Sequence, residues 1–411
     1  MGGREEEEEV AVENGPSPQR LQQENDIKDV DPERPPSSFL EPFRHQVGGH
    51  VGLLCWDAHH VCKPFTEREN NFYCRLSKSF ANFAPIYCGV VEVSFEPDSL
   101  GYLSVVAYPV PPVNGEHERS PCTNCSNRQQ VVVGKRMHQH SAKYRFRVKK
   151  SGNVEVESAT DNAAEMFRDV TSGVHNAQNP WAFYCQMRHV AAMQQRDLNQ
   201  GRHRFMLLEN LVCRYRRPCV IDLKMGTRQH GDDAPQLKKE QQTDKCARST
   251  SAKMGVRIVG MQVFDPTTGV YHCANKYFGR ELDPAGFHHQ LRKFLVDERN
   301  EVRHQLCAAF LRRIDALAQV ISQAEGYRFY SGSLLLMYDG AAAAPETNEA
   351  ADAAIDVRMI DFEHSTYPGF RGDAPYTGPD AGYLLGLGSL ATTIHAIADE
   401  QPNSCALIAD N

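Results

Sequence analysis

The chain has 411 residues, of which 41% are hydrophobic and 24% are charged, so it is long enough for a large core and has the composition of a globular protein. No run of about 18 apolar residues occurs, and the sequence therefore predicts no membrane-spanning segment. The formal net charge of −7 belongs to residues 1–38, which hold 11 acidic and 4 basic residues, whereas the rest of the chain holds 41 of each. The total charge therefore excludes no class of partner, and only local clusters of charged residues can indicate one.

The N-terminal part is predicted to be a disordered tail followed by a β-rich lobe. Residues 1–38 are acidic, polar and rich in proline, and they bury too little apolar surface to fold. In the lobe that follows, residues 39–211, we expect strands at 47–56, 61–65, 87–95, 102–110 and 143–150, one helix from Thr66 to about Lys78, and helical segments at 160–171 and 180–199. Residues 111–130, rich in Pro, Asn, Ser and Cys, interrupt the lobe as a surface loop insertion.

The C-terminal part, residues 212–411, is predicted to mix strands with longer helices. An apolar run at 205–211 leads into it, and strands are expected at 218–226, 258–264, 271–274, 329–338 and 357–362. Helices are expected at 232–254, as a pair within 283–324, and at 379–399. The predicted class is α+β with two lobes, a layout that kinases share, but a fold alone does not establish a function.

The motifs of several large enzyme classes are missing. The chain has no G-x-x-x-x-G-K-[ST] loop, which excludes P-loop NTPases, and neither H-R-D…N nor G-x-G-x-x-G, which excludes ordinary protein kinases. H-E-x-x-H and G-x-S-x-G are missing as well, which argues against zinc peptidases of that type and against α/β-hydrolases. The chemistry of the chain must therefore rest on other residues.

A carboxylate and an ammonium group stand two residues apart where a buried strand ends. Asp222 and Lys224 point to the same face of that strand. Phosphoryl transfer needs such a pair, with a cation on the transferred group and a carboxylate near the attacking hydroxyl or the nucleotide. Alone, the pair is better explained as a strand-end ion pair. Residues 213–257, however, hold 11 Lys and Arg against 5 Asp and Glu, which favours a polyanionic substrate, although a solvated helix face would explain the lysines of 238–245 equally well.

Two further groups fit the same chemistry. Asp361 closes an apolar strand, which is typical of a magnesium ligand or of a helix cap, and magnesium needs only one or two protein carboxylates when nucleotide phosphates complete its shell. Lys63 ends a short strand and Glu69 lies in the next helix, the arrangement by which a kinase orients a lysine toward nucleotide phosphates. Gly48 and Gly49 would either let backbone amides approach phosphates or form a tight turn.

Several motifs occur together along one long run of the sequence. Pro218 to Gly226 reads P-x-x-x-D-x-K-x-G, and 227–234 reads T-R-Q-H-G-D-D-A. Further motifs are Leu40-Glu-Pro-Phe, His45-Gln-Val-Gly-Gly-His50, Val61-Cys-Lys-Pro64, Phe205-Met-Leu-Leu-Glu-Asn-Leu211, Ser249-Thr-Ser251, Ser331-Gly-Ser-Leu-Leu335 and Arg358-Met-Ile-Asp-Phe362. Together they resemble the inositol phosphate kinase family, from about residue 40 to 399, and the extension at 227–234 resembles its hexakisphosphate kinase branch.

The resemblance implies a fold, two cofactors and a substrate. The fold would be the two-lobed α+β inositol polyphosphate kinase fold, distantly similar to protein kinases, with a β-rich N-terminal lobe and a mixed, helix-rich C-terminal lobe. ATP and Mg²⁺ would be the cofactors, with the ATP cleft near 209–224. The substrate would be inositol hexakisphosphate, converted to diphosphoinositol pentakisphosphate, with related inositol polyphosphates as further ligands and a basic substrate-binding segment at 226–254.

The resemblance also implies roles for individual residues. The catalytic residues would be Lys224, Asp222 and Asp361, of which Asp361 would hold the metal, while Asp222 would lie beside either the nucleotide ribose or the reacting hydroxyl. The nucleotide would be bound by Lys63, Glu69, Glu209, Leu211, Asp222 and Ser333, and the substrate by Pro218, Lys224, Gly226, Arg228, His230 and Lys238.

Three features depart from the family's pattern. Glu363 follows Asp361-Phe362 where the family usually has a small residue, which adds a carboxylate near the expected metal site. Gly332 stands where a serine is expected, so a second hydroxyl is missing there. The loop 111–130 has no assigned role. None of these departures removes a core catalytic residue.

Three alternatives stay open. A multikinase acting on inositol tris- or tetrakisphosphates would share the signature but not the extension at 227–234. A non-catalytic scaffold that binds inositol phosphates would keep polyphosphate binding without ATP binding. Residues 135–150, with seven Lys and Arg and no acid, would bind nucleic acid, frame the inositol phosphate site or form plain surface; we do not expect nucleic acid as the partner.

The N-terminus has no apolar core of the kind that signal peptides contain. We therefore expect a cytoplasmic protein, with the nucleus as the alternative location. We also expect a monomer that does not bind membranes.

Overall fold

The computed structural model of the chain describes residues 38–49, 51–97, 103–110, 144–148, 154–158 and 201–400, together with helical positions 181, 182, 185 and 188. The predicted tail up to residue 37, the loop 111–130, the helix 160–171, the basic residues 135–143 and most of 180–199 lie outside the described residues. The elements below belong to one compact unit, Pro36–Asn411. The lobe boundary at 211–212 stays a prediction.

The β-rich part forms one antiparallel sheet. Its strands are β1 (Ser38–Phe39), β2 (Glu41–Pro42), β3 (Leu54–Asp57), β4 (His60–Pro64), β5 (Tyr87–Pro97), β6 (Leu103–Pro109), β7 (Tyr144–Val148), β8 (Val154–Ser158) and β9 (His203–Glu209). The order is β2-β3-β4-β9-β5-β6-β7-β8, and β1 pairs with β6. In this order β4, which carries Lys63, pairs with β9, which ends at Glu209.

Helix α1 (Glu67–Arg75) follows β4 and carries one of the predicted site residues. The Thr66 side chain accepts a hydrogen bond from the Glu69 N–H at 3.3 Å, which is the N-cap that the sequence predicts. Phe72 is fully buried, and its ring stacks on that of Phe362 with centroids 4.7 Å apart. The helix is thereby held against the chain that follows Asp361.

The C-terminal part is built on a second antiparallel sheet, of five strands in the order β12-β11-β10-β13-β14. They are β10 (Pro218–Met225), β11 (Val256–Phe264), β12 (Tyr271–Ala274), β13 (Ser333–Asp339) and β14 (Ile355–Ile360). The helices described here are α2 (Gln236–Ala247), α3 (Ser251–Met254), α4 (Lys276–Glu281), α5 (Pro284–Leu295), α6 (His304–Ser322), α7 (Asn348–Ala354) and α8 (Ala381–Ala398). Strand β10 is central, as its nearly continuous apolar run predicts.

The largest core lies on the second sheet. Buried side chains of β10, β11, β13 and β14 pack there with the apolar faces of α5, α6 and α8. Among the described residues, α8 is the one helix whose length and hydropathy would suffice to cross a membrane. Its buried side chains, which include Leu387, Leu390, Ile394 and Ile397, belong to this core.

The main elements agree with the sequence prediction. The differences are two strands that a turn shortens and a few short elements that were not predicted. The predicted strand 47–56 is a strand only from Leu54, because the preceding residues form a turn that includes Gly49 at φ +82°. The strand predicted at 329–338 begins at Ser333, after Ser331 takes a left-handed φ of +59°. Helices α4 and α7 and strand β8 were not expected, because such short elements carry little periodicity.

Candidate active site

A cavity of about 490 Å³ lies between the two sheets. Its apolar lining comes mainly from β4, β9, β10, β13 and β14 and includes Val61, Leu208, Val220, Leu335, Met337 and Ile360. Its cationic lining comes from α2, β11 and α4 and consists of Lys238, Lys245, Arg257, Lys276 and Arg280. Lys63, Asp222, Lys224 and Asp361 line the same cavity. One cavity thus offers an apolar surface for a flat ring and a group of cations for anions.

Strand register explains why distant residues meet here. In the second sheet, Lys224 of β10 pairs with Ser333 of β13, and Ser333 pairs with Ile360 of β14. Asp361 follows directly, so a cation, a hydroxyl and a carboxylate come together at one edge of three neighbouring strands. The sequence predicted these residues for one site, and register is the physical reason for their proximity.

Two lysines converge on the Asp361 carboxylate. Lys63 Nζ lies 2.7 Å from Asp361 Oδ1 and 2.7 Å from Glu69 Oε1, while Lys224 Nζ lies 3.7 Å from Asp361 Oδ2. Burial by itself would raise the pKa of Asp361, but the Lys63 and Lys224 charges lower it to about 2. The carboxylate is therefore ionised at neutral pH, and its charge holds the two lysines beside it. Lys224 also donates a hydrogen bond to the Ser331 carbonyl at 2.6 Å.

Asp361 itself is held in an unusual backbone conformation. Its φ is +64°, a left-handed value that is unfavourable for a residue with a side chain. The next N–H, that of Phe362, donates to Glu69 Oε1 at 3.1 Å. Glu69 thus fixes both Lys63 and the turn after Asp361, which is a fuller role than the lysine partner that the sequence suggested.

Asp222 is buried beneath a glycine. Asp222 is only 3% exposed. A Cβ added to Gly48 would lie 1.9 Å from Asp222 Oδ2. Burial raises the pKa of Asp222 to about 6, against the opposing effect of Lys224 and with a further increase from Asp361. Gly48 is therefore a position where the backbone approaches Asp222 too closely for any side chain, and the suggested contact of its amide with phosphates stays a prediction.

The donor atoms near Asp361 fit a magnesium ion held mainly by nucleotide phosphates. Asp222 Oδ1 and Ser333 Oγ are both buried, and the Ser333 hydroxyl acts on Asp222 to lower its pKa. The described residues contain no group of three or more His, Cys, Asp and Glu side chains that would enclose a metal alone. Magnesium retains phosphate and water ligands and needs few carboxylates, so the Asp361 carboxylate, with the Asp222 and Ser333 oxygens as further donors, is a suitable donor set.

The segment after β9 resembles a hinge beside the apolar lining. Asn210 fixes it, since its Nδ2 donates to the Ala58 carbonyl at 2.8 Å and its Oδ1 accepts from the Val212 N–H at 3.2 Å. Glu209 accepts from the Ile86 N–H at 3.0 Å through its carboxylate. The Leu211 N–H bonds to none of the described residues and Leu211 lines the cavity, which suits the predicted contact with adenine.

The cationic lining contains residues that the sequence prediction had not singled out. On α2, Gln242 and Lys245 share one helix face with the predicted Lys238, at spacings of four and three. Burial, together with the charge of Arg280, lowers the pKa of Lys276 to about 8. Lys276 and Arg280 stand four apart on α4, a spacing that places both on one helix face but does not by itself indicate that this face meets the cavity.

Four predicted substrate residues do not line this cavity, although their predicted role stays untested. Arg228 pairs with Asp232 at 2.6 Å, and its guanidinium lies 4.1 Å from the centre of the Tyr330 ring. His230 accompanies Arg228, with its Nδ1 3.3 Å from the Arg228 Nε. Gly226 forms a turn at φ +87°, and the carbonyl of Pro218 accepts from the Gln262 side chain at 2.8 Å.

Comparisons with known proteins point in one direction. A family model described as inositol polyphosphate kinase matches residues 205–395. Inositol hexakisphosphate kinase 1 of Mus musculus is 37% identical, with 88% of this chain and 94% of that protein covered. Inositol hexakisphosphate kinase 3 of Homo sapiens is 38% identical, with 88% and 95% covered. Inositol hexakisphosphate kinase 2 of Rattus norvegicus is 36% identical, with 90% and 97% covered.

The chain also has a similarity to a solved structure that covers about half of its residues. A crystal structure of an inositol phosphate multikinase from S. cerevisiae, in complex with ADP and Mn²⁺, is 23% identical and superposes with a TM-score of 0.39. That match covers 47% of this chain and 84% of the multikinase chain.

Proposed function

Because the chain belongs to the inositol polyphosphate kinase family, and within it to the inositol hexakisphosphate kinase branch, we propose that it transfers a phosphoryl group from ATP to inositol hexakisphosphate. The product is a diphosphoinositol pentakisphosphate. The observation that carries this proposal is the convergence of Lys63 and Lys224 on Asp361, inside a cavity that joins an apolar lining to a group of cations.

The cavity supports a division of labour between the two ligands. Adenine occupies the apolar lining and meets the backbone of 209–211, while the nucleotide phosphates reach Lys63 and Lys224. Inositol hexakisphosphate lies against the cations of α2, β11 and α4, since a polyanion needs several positive groups to offset its charge. Lys224 stands between the two ligands and contacts the transferred group.

The reaction needs charge neutralisation more than a base. The attacking atom is a phosphate oxygen of the substrate, which is already anionic at neutral pH. A new oxygen–phosphorus bond forms to the γ-phosphorus while the bond from that phosphorus to the β–γ bridging oxygen breaks, and ADP leaves. Lys224 offsets the charge on the oxygens of the transferred group, and Lys63 holds the remaining phosphates in line. Bound magnesium, held by Asp361, would supply further neutralisation of the phosphate oxygens.

The remaining expectations are part of this proposal. We propose ATP as the donor, Mg²⁺ as the metal, and a monomer in the cytoplasm or nucleus that binds neither membranes nor nucleic acid. The basis for ATP and Mg²⁺ is the site described above. The basis for the location and the oligomeric state is the sequence alone.

A substrate panel separates the alternatives. The kcat/KM values for inositol hexakisphosphate and for inositol tris- and tetrakisphosphates are measured with ATP and Mg²⁺. Preference for the hexakisphosphate supports the proposal, and preference for the less phosphorylated inositols would establish the multikinase instead. Polyphosphate binding without ATP binding or turnover would leave only the scaffold.

A further inference from the structure

The turn after Asp361 is held at both of its ends by consecutive residues of helix α1. The turn closes on itself, because the Ser365 N–H donates to the Phe362 carbonyl at 3.0 Å. At its start, the Phe362 N–H donates to Glu69 Oε1 at 3.1 Å. At its end, the Ser365 carbonyl accepts from Arg68 Nη2 at 3.2 Å. Arg68 is therefore the counterpart of Glu69 on the far side of the turn.

Arg68 also binds the chain several residues farther on. Its guanidinium forms a bidentate pair with the Asp373 carboxylate, through Nη1 to Oδ1 at 3.1 Å and through Nη2 to Oδ2. The Asp373 side chain is 2% exposed and that of Arg68 is 15% exposed. The Arg68 guanidinium lies 4.3 Å from the centre of the Phe370 ring. The fork geometry makes this pair directional, and its burial makes the loss of either partner costly.

The segment that Arg68 binds supplies side chains to the cavity. Glu363 and His364 both line it, and His364 Nε2 lies 3.2 Å from Lys238 Nζ on α2. The segment begins at Asp361, whose left-handed φ of +64° must be maintained by its surroundings. Whatever holds residues 362–373 against α1 therefore also sets the direction of the Asp361 carboxylate.

We propose that Arg68 is a positioning residue for Asp361, which it orients by fixing the segment 362–373 against helix α1. Arg68 itself touches neither nucleotide nor substrate. The proposal deepens the kinase function and rests on it, because Asp361 has its role only if the site handles ATP and a metal. The predicted consequence is that Arg68 controls how well the site uses the metal, through a residue that it does not contact.

The test compares three full-length variants with the wild-type chain. Arg68→Ala removes the fork, and Arg68→Lys keeps the charge but loses the bidentate geometry. Lys293→Ala removes a basic, exposed residue in the last turn of helix α5 that forms no ion pair with the described residues. Hydrogen exchange of the peptide covering 359–373 is measured without ligands, and the Mg²⁺ concentration for half-maximal turnover of inositol hexakisphosphate is measured with them.

Both Arg68 variants should exchange faster in 359–373 while helix α6 exchanges as in the wild type. Their half-saturating Mg²⁺ concentration should rise by about 10- to 100-fold, the usual effect of losing a residue that orients a metal ligand. Arg68→Lys should lie between Arg68→Ala and the wild type, and Lys293→Ala should change neither measurement.

Three results would overturn the proposal. One is faster exchange throughout the chain, which would mean that Arg68 serves global stability. The second is an unchanged Mg²⁺ requirement in Arg68→Lys, the variant expected to fold even if Arg68→Ala does not. The third is local exchange equal to wild type. A wild-type chain that turns over no inositol phosphate would instead refute the kinase function, so the two failures are distinguishable.

Discussion

The buried Asp222 carboxylate lowers the stability of the folded chain at neutral pH, although the proposed reaction needs it. It is buried beneath Gly48 and has a pKa raised to about 6. Because the folded state binds this proton more tightly than the unfolded chain does, Asp222 contributes stability at low pH. That contribution is lost as the pH rises through the folded pKa.

Replacing Asp222 should therefore change how stability depends on pH. From pH 5 to pH 7.5, the unfolding free energy of Asp222→Asn, relative to the wild type, should rise by about 1 kcal/mol, since one pKa unit corresponds to about 1.4 kcal/mol. Urea unfolding at the two pH values measures this difference, and turnover should be lost in the same variant. Parallel pH profiles for the two proteins would contradict the assigned burial of an ionisable carboxyl.

Gly48 should not tolerate even one methyl group. Its Cβ would lie 1.9 Å from Asp222 Oδ2, so Gly48→Ala must displace either the turn or the carboxylate. A displacement of about 1 Å in an active site costs up to about 100-fold in rate, and we expect a loss of that order in kcat/KM for ATP.

The control for Gly48→Ala is Gly388→Ala in helix α8, where an added Cβ meets no atom within 4 Å. That variant should keep wild-type kinetics, because alanine is a better helix former than glycine. Equal kinetics in the two variants would show that Gly48 does not constrain the site.

At the scale of elements, helix α2 presents one face to the cavity and the other to solvent. Lys238 and Lys245 line the cavity, whereas Lys239, one position along, does not. Lys238→Ala and Lys245→Ala should each raise the KM for inositol hexakisphosphate by about 10-fold, the loss of a charge-assisted contact of roughly 1.5 kcal/mol. Lys239→Ala, the matched control on the same helix, should leave KM unchanged.

Steady-state kinetics at one ionic strength decides this prediction. A uniform effect of all three lysines would mean that the helix acts only through its total charge. An unchanged KM in all three variants would mean that the solvated-face interpretation of the basic segment is right for this helix.

The elements also show what the sequence could and could not predict. Strand β10 and its Asp222–Lys224 pair were predictable, because alternation along a buried strand places both side chains on one face. The Lys63–Glu69 pair followed from a short strand and a capped helix. Arg257, Lys276 and Arg280 were not predicted as site residues, because the packing of α4 and β11 beside α2 is set by tertiary contacts that no local pattern records.

Hydrogen bonds and packing also determine whether a residue that a motif suggests for the site lines the cavity. Arg228 lies within the predicted substrate segment, but it is bound by Asp232 and packs on Tyr330 outside the cavity lining. A sequence motif states which residue types occur together, whereas the partner that each side chain takes depends on residues far along the chain. Tyr330 lies 102 positions from Arg228.

At the scale of the whole molecule, the two antiparallel sheets of the described residues enclose the cavity, and each supplies one of the two lysines that meet at Asp361. Lys63 comes from the first sheet and Lys224 from the second. The class and the order of most elements were predictable from hydrophobic patterns. The pairing of β9 between β4 and β5 was not, since strand pairs so far apart in sequence leave no periodic signal.

The measurement that tests the central claim most directly is product analysis with ATP, Mg²⁺ and inositol hexakisphosphate, resolved by charge. Wild-type chain and Lys239→Ala should both give a product more anionic than the substrate, and Lys224→Ala should lower the rate by about 100- to 1,000-fold, the usual cost of removing one group that stabilises transition-state charge. No product from the wild type, or equal product from Lys224→Ala, would contradict the account.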